Sequence, residues 1–175
     1  MISRTLILSS IVAAALPAYA AGLAAPSGIS PELRAPAGEQ PAFVLKAAGV
    51  QIYTCRASPD GYEHKWSFVA PEATLMEDGA TVGHHGAGPA WESMTDKSAT
   101  KGAAKQKQDG GAGNIAWLLL AATPNGNEGR FAGVTSVQRV ATKGGVEPAG
   151  GCDAAHAGQE VKVPYTADYY FYRRG

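Results

Sequence analysis

Residues 161–171 read VKVPYTADYYF, and every odd-numbered position in this segment carries an apolar or aromatic side chain. The even-numbered positions include Lys162, Thr166 and Asp168. A repeat of two residues indicates a β-strand, because apolar residues recur every three to four positions on one face of a helix. Pro164 has no N–H to donate to a neighbouring strand, so the pattern predicts either an edge strand or a bulge at the proline.

Other short runs of apolar, aromatic and β-branched residues occur along the chain. They cover residues 43–55, 64–70, 115–122 and 131–141. Turn sequences such as Ser58-Pro59-Asp60-Gly61 and Asp78-Gly79 separate them, and this spacing predicts about seven to nine strands and hardly any helix. We expect an all-β fold, either an antiparallel β-sandwich or a small β-barrel, because a single open sheet would leave its edges exposed.

The composition limits the class of protein. The chain has 175 residues, of which 45% are hydrophobic and 17% charged, with 22 glycines and 11 prolines. These values are typical of one compact, turn-rich domain and not of a disordered or fibrous chain. Fifteen basic residues balance fifteen acidic ones. This balance argues against a nucleic-acid partner, because proteins that bind nucleic acids usually carry a basic excess.

Residues 1–20 have the features of a cleavable signal peptide. Arg4 supplies a positive charge, an apolar stretch runs from Leu6 to Leu16, and the segment ends in Ala18-Tyr19-Ala20, which fits an A-x-A cleavage site. The apolar stretch is shorter than the about 20 residues that span a bilayer. We therefore expect cleavage after Ala20, a periplasmic or secreted protein, and no transmembrane segment in the mature chain.

The rest of the chain is expected to form one domain with a lead-in. Residues 21–41 are rich in Ala, Pro, Gly and Ser, which predicts a flexible segment or an extended arm on the domain surface. Residues 42–175 then form a single all-β domain. Within it, residues 93–113 are polar and glycine-rich and predict one long polar loop. Long loops in compact domains are often functional, and the lysines of this loop make it a candidate anion contact.

Cys55 and Cys152 are the two cysteines of the sequence. An exported protein meets oxidising conditions in which disulfides form, and we expect these two residues to pair. Closing so long a loop would stabilise the fold by about 4–5 kcal/mol in the chain-entropy model. Metal binding by the two thiols is the alternative, but neither cysteine belongs to a C-x-x-C motif.

Residues 82–92, VGHHGAGPAWE, hold the candidate ligand-binding residues. The glycines let the backbone approach a ligand closely, and a tryptophan offers a large apolar surface with one polar group. We expect a small molecule or an envelope glycan to bind around His85, Gly88, Trp91 and Glu92.

A metal is the third candidate ligand. The candidate metal ligands are His84, His85, His156 and Asp153, a set of imidazole and carboxylate groups that suits Zn or Cu. Adjacent histidines on a strand point to opposite faces, so His84 and His85 would hold one ion only in an irregular segment. No cofactor is required by any motif of the sequence.

Motifs of several enzyme classes are missing from the sequence. It has no G-x-S-x-G nucleophile elbow, no G-x-x-x-x-G-K phosphate loop and no dinucleotide-binding fingerprint. We therefore expect a binding module. Two alternatives stay open: a secreted hydrolase or metal-dependent enzyme that uses the histidines with Asp153, and a structural component of the envelope or matrix.

Six segments of the sequence together resemble a known family. They are GVQIYTC (49–55), APEATL (70–75), HGAGPAW (85–91), WLLL (117–120), GCDAAH (151–156) and VPYTADYYFY (163–172). Between Leu33 and Arg173 the chain resembles a secreted bacterial and fungal family of unknown function, some of whose fungal members are labelled malate dehydrogenase. The resemblance implies export, a β architecture and a Cys55–Cys152 pair, and it implies no activity.

The sequence departs from the pattern of that family at two places. The family has a ring-bearing residue where Gly86 stands, and an Asp-Gly-Ser turn where Asp96-Lys97-Ser98 stands. The dehydrogenase label finds no support in this sequence, because NAD sites need a glycine-rich turn between a strand and a helix and an acidic residue for the ribose.

Overall fold

The structure is a computed structural model that describes residues 22–175, so the predicted signal peptide lies outside the described residues. Eight strands and two short 3₁₀ helices form in this range. The strands are β1 (Glu39–Ala57), β2 (His64–Glu77), β3 (Ala80–Gly86), β4 (Ala90–Ser93), β5 (Ala99–Gln108), β6 (Trp117–Pro124), β7 (Val134–Gly144) and β8 (Glu160–Arg174). The 3₁₀ helices are Pro31–Leu33 and Ala154–His156. In the described part of the chain, no helix has the length and apolarity needed to cross a membrane.

The eight strands form one closed antiparallel barrel. Each strand pairs with the next along the chain, and β8 returns to pair with β1 from Glu39–Arg174 to Thr54–Glu160. The all-β prediction is confirmed, and the barrel is the predicted architecture that the chain adopts. Closure leaves β8 with a partner on both sides, so it is not the edge strand that Pro164 suggested. Pro164 instead lies one residue past the last β7–β8 pair, Gly144–Tyr165, where its missing N–H breaks no bond to β7.

β5 lies where the sequence predicted a long polar loop. Ala99–Gln108 pairs with β6 over its whole length and with β4 at its beginning. Thr100 and Gly102 are its buried residues, and from Ala103 to Lys107 every side chain is exposed. A Cβ atom at Gly102 would come within 2.9 Å of the Trp91 ring. The loop prediction is wrong: the strand carries no apolar pattern, because Trp91 fills the inward space at Gly102 and the side chains of residues 103–107 are exposed.

Aromatic side chains fill one end of the barrel, which we call the closed end. The Phe43 and Phe171 rings stack with their centroids 4.7 Å apart, and Phe131 packs edge-on against Phe171 at 5.1 Å. Leu45 and Leu75 are buried in the same core. Packed rings of this kind fill the interior of the barrel at the closed end.

Residues 22–38 lie against the outside of the barrel. Leu33 is completely buried there, and its carbonyl accepts a hydrogen bond from Nε2 of Gln138. The Tyr172 hydroxyl donates in turn to Oε1 of Gln138 at 2.5 Å, and the backbone N–H of Ser30 donates to the Gln108 side chain at 2.7 Å. β1 begins at Glu39, so the strand includes the last residues of the predicted lead-in, 21–41.

The predicted disulfide is confirmed. Cys55 at the end of β1 is bonded to Cys152 in the loop before β8, with Cα atoms 5.4 Å apart. Backbone hydrogen bonds join Cys55 to Gln159 and to Gly158, each at 2.9 Å. The disulfide therefore fixes the loop before β8 at the opposite end of the barrel from the phenylalanine rings, which we call the open end.

Candidate functional site

The short strands β3 and β4 leave a gap in the barrel wall. β2 pairs with β3 from Ala73 to Glu77, and β5 pairs with β4 from Ala99 to Lys101. The remaining residues of β2 and β5 continue to the open end with no described strand between them. The gap begins at the β3–β4 turn, residues 87–89.

A cavity of about 870 Å³ opens through this gap. Ligand pockets measure about 300–1,000 Å³, so its size suits one small molecule. Aromatic side chains form much of its lining, namely Tyr53, Phe68, Trp91 and Tyr169. The polar side chains of the lining are Gln51, His85, Lys107, Asn114, Arg139 and Glu147.

His85, Trp91 and Tyr169 form a rigid aromatic wall in this cavity. His85 on β3 is the register partner of Trp91 on β4, and their rings stack with centroids 4.7 Å apart. The Tyr169 ring meets both edge-on, at 4.9 Å from His85 and 5.4 Å from Trp91. All three side chains are buried. Rings packed in these two geometries attract one another beyond their burial, so the wall is formed before a ligand arrives.

His85 is a neutral imidazole. Burial lowers its pKa to about 4, and the positive charge of Arg139 acts in the same direction. Its Nδ1 lies 2.8 Å from the carbonyl oxygen of Ala90. A carbonyl can only accept a hydrogen bond, so Nδ1 carries the proton and donates, and Nε2 keeps its lone pair.

Arg139 is the half-buried cation of the cavity. Its Nε and Nη2 atoms donate to the carbonyl oxygen of Ala116 at 3.0 and 2.8 Å. It has no carboxylate within 4.0 Å among residues 22–175. A guanidinium has five N–H donors, and two of them bind Ala116, so donors remain for another group.

Protonated tyrosines and an amide lie around this cation. Burial raises the pKa of Tyr165 and of Tyr169, whose hydroxyl oxygens are 3.5 Å apart. Tyr53 donates to the carbonyl of Gly145 at 2.7 Å. The Gln51 side chain is 2% exposed, and its Nε2 has no hydrogen-bond partner among the described residues. The open end therefore holds a buried polar group, the Gln51 amide, whose Nε2 no other described residue pairs by a hydrogen bond.

Exposed apolar side chains surround the mouth of the cavity. Phe68 and Val69 on β2 and Val146 in the loop after β7 are all exposed and all line the mouth. They are half of the six large apolar side chains that are exposed in residues 22–175. A concentration of exposed apolar surface at one place marks a binding site more often than scattered single residues do.

The structure brings three of the four predicted ligand-binding residues together. His85, Gly88 and Trp91 line the cavity. Glu92 is exposed on the opposite face of β4, because side chains alternate along the strand, and its register partner there is His84.

The four predicted metal ligands are not grouped together. His84 is exposed on the outer face of β3, whereas His85 points into the barrel. In the loop before β8, Nδ1 of His156 lies 2.6 Å from Oδ1 of Asp153, and this hydrogen bond lowers the pKa of Asp153. Among residues 22–175, no three His, Cys, Asp or Glu side chains are placed to hold one metal ion.

Sequence reasoning missed Arg139, Gln51 and Lys107. Arg139 lies in the strand pattern VTSVQRVATKG, where register shifts at both ends of β7 disturb the alternation of the side chains. A charged residue within a largely buried strand was the signal that could have identified it. Lys107 is the lysine of the predicted polar loop that lines the cavity.

The fold and the site together define a class of protein: a disulfide-linked, eight-stranded antiparallel barrel with a cavity of ligand size at one end. The chain belongs to the family described as Protein of unknown function (DUF3455), whose model matches residues 36–173. The prediction of membership in a family of unknown function is confirmed. No curated protein matches the chain, and no solved structure does.

Proposed function

We propose that this protein is an exported binding module for one small molecule with an apolar ring or chain. The observation that carries the proposal is the cavity of about 870 Å³ with its wall of His85, Trp91 and Tyr169. Closed barrels of eight strands are either filled by side chains or hold one small ligand. Here side chains fill the closed end, and the cavity occupies the open end.

The lining favours a small apolar molecule over the two other candidates, an envelope glycan and a metal. A sugar needs many hydrogen-bonding partners for its hydroxyl groups, whereas much of this lining is aromatic or aliphatic and the mouth is apolar. A zinc or copper ion takes three or four protein ligands, and the described residues offer no such group.

Export is the second part of the proposal. The Cys55–Cys152 disulfide supports it, because disulfides persist in the periplasm and outside the cell and are rare in the cytosol. The predicted signal peptide, with cleavage after Ala20, supports it as well. The mass of the protein recovered from the periplasm or the medium tests this part: a chain that starts at Ala21 is expected, and a full-length chain confined to the cytosol would contradict it.

Titration with the neutral fluorescent probe N-phenyl-1-naphthylamine tests the binding function. We expect probe fluorescence to rise and saturate with the wild-type protein. The Ala104→Trp variant fills the cavity from β5, since Ala104 belongs to its lining, and should weaken binding about tenfold or more. The Ala103→Trp variant is the matched control, because its side chain lies on the outer face of the same strand. Absence of binding to the wild type, or equal binding by both variants, would contradict the proposal.

A further inference from the structure

We infer that the ligand of this cavity is an acid, an apolar ring or chain that carries a carboxylate, and that the carboxylate pairs with the Arg139 guanidinium. The inference rests on the proposed function and specifies the chemical class of the ligand. Its first basis is position: Arg139 lines the cavity from β7, and Ala116, whose carbonyl holds it, lines the cavity beside it.

The second basis is the charge that Arg139 leaves uncompensated. A half-buried charge is stabilised by an opposite charge or by several hydrogen bonds. Ala116 provides one neutral acceptor, and the described chain provides no carboxylate within 4.0 Å of the guanidinium. Ala116 accepts from Nε and Nη2, and the Tyr169 hydroxyl lies within reach of the guanidinium. A guanidinium has five N–H donors, so donors remain for a pair with a carboxylate.

The third basis is the balance of charges in the cavity lining. Its charged side chains are two cations, Lys107 and Arg139, and one anion, Glu147. Lys107 and Glu147 are both exposed at the mouth, where solvent screens their opposite charges, so the half-buried Arg139 supplies the charge inside the cavity. His85 is neutral. The lining is therefore cationic by one charge, which favours an anion as the ligand.

The fourth basis is the set of hydrogen-bond donors near Arg139. Tyr169 lines the cavity, and the Tyr165 hydroxyl lies 3.5 Å from the Tyr169 hydroxyl. Burial raises the pKa of both, so both keep their protons. The Gln51 amide lies within reach of the Tyr165 hydroxyl, and its Nε2 makes no hydrogen bond of standard geometry to the described residues. Hydroxyl and amide donors around a guanidinium form the environment that a carboxylate needs when it leaves water. The aromatic wall of His85 and Trp91 would then contact the apolar part of the acid.

A matched pair of ligands tests the inference: 2-naphthoate and its neutral amide, 2-naphthamide, each used to displace N-phenyl-1-naphthylamine. The two competitors share one ring system and differ in charge. We expect the wild type to bind the acid about ten- to a hundredfold more tightly than the amide, which is the range of one charge-assisted hydrogen-bond pair. Equal affinity for the two would overturn the inference while leaving the proposed function intact, because the neutral probe reports that function separately.

Variants of β7 assign the effect to one residue. Arg139→Gln should abolish the preference for the acid, measured as the ratio of the acid and amide affinities within that variant, whereas Arg139→Lys should keep part of the preference. Lys143→Gln removes an exposed cation from the same strand and should leave the ratio at its wild-type value. A preference that survives in Arg139→Gln would overturn the role of Arg139. If Arg139→Gln does not fold, Arg139→Lys provides the test. An acid preference in Arg139→Lys equal to that of the wild type would then overturn the role of Arg139.

Discussion

Lys97 shows how a single residue departs from the backbone conformation that its side chain favours. It lies in the turn between β4 and β5 with φ of 60°, in the left-handed region that favours glycine. Ser98 donates to Asp96 from both its backbone N–H, at 3.0 Å, and its hydroxyl, at 2.7 Å. Arg130 also donates its backbone N–H to Asp96, at 2.8 Å. These bonds hold the turn, so Lys97 stays in the unfavourable region.

Glycine adopts the backbone conformation of Lys97 without the steric cost of a Cβ atom. We expect Lys97→Gly to raise the free energy of unfolding by about 0.5–1 kcal/mol, because relief of the left-handed strain exceeds the greater flexibility of glycine in the unfolded chain. Urea unfolding at neutral pH measures this. Lys101→Gly on β5 is the control and should have the opposite sign, since glycine weakens a strand. Destabilisation by both substitutions would contradict this explanation.

β8 and β5 show which elements could be predicted from sequence and which could not. In β8, Tyr165, Ala167, Tyr169 and Phe171 are buried at alternate positions, so the apolar pattern reports the inward face directly. In β5 the buried positions are Thr100 and Gly102, and the apolar group that covers Gly102 is Trp91 of another strand. A strand whose core contact comes from its neighbour carries no apolar pattern of its own.

The packing of Gly102 against Trp91 yields a prediction about β5. Gly102→Ala places a methyl group 2.9 Å from the Trp91 ring and from Leu120, and we expect destabilisation by about 1–3 kcal/mol through overpacking. Gly86→Ala is the matched control, because nothing lies within 4 Å of its added Cβ. The midpoints of urea unfolding compare the two. A smaller destabilisation by Gly102→Ala than by Gly86→Ala would contradict the packing of Trp91 against Gly102 of β5.

At the scale of the whole molecule, the site arises because the strands differ in length. The sequence predicted the part of the site that is local, since His85, Gly88 and Trp91 lie on one glycine-rich hairpin. Gln51 on β1 and Arg139 on β7 reach the same cavity because the barrel closes. The spacing of residues in the sequence does not indicate that Gln51 and Arg139 share a cavity, because barrel closure pairs strands from opposite ends of the domain.

A cavity that forms part of the barrel should couple ligand binding to the stability of the whole domain. A ligand that binds the folded state alone, at a hundred times its Kd, adds about 2.7 kcal/mol, which corresponds to a rise in Tm of about 5–10 °C for a domain of this size. We expect 2-naphthoate to produce this rise in the wild type and in Ala103→Trp, and to have little effect on Ala104→Trp, whose cavity is filled. Differential scanning calorimetry provides the measurement. An equal rise in both tryptophan variants would place the stabilising ligand outside the cavity, on a surface that Ala104 does not line.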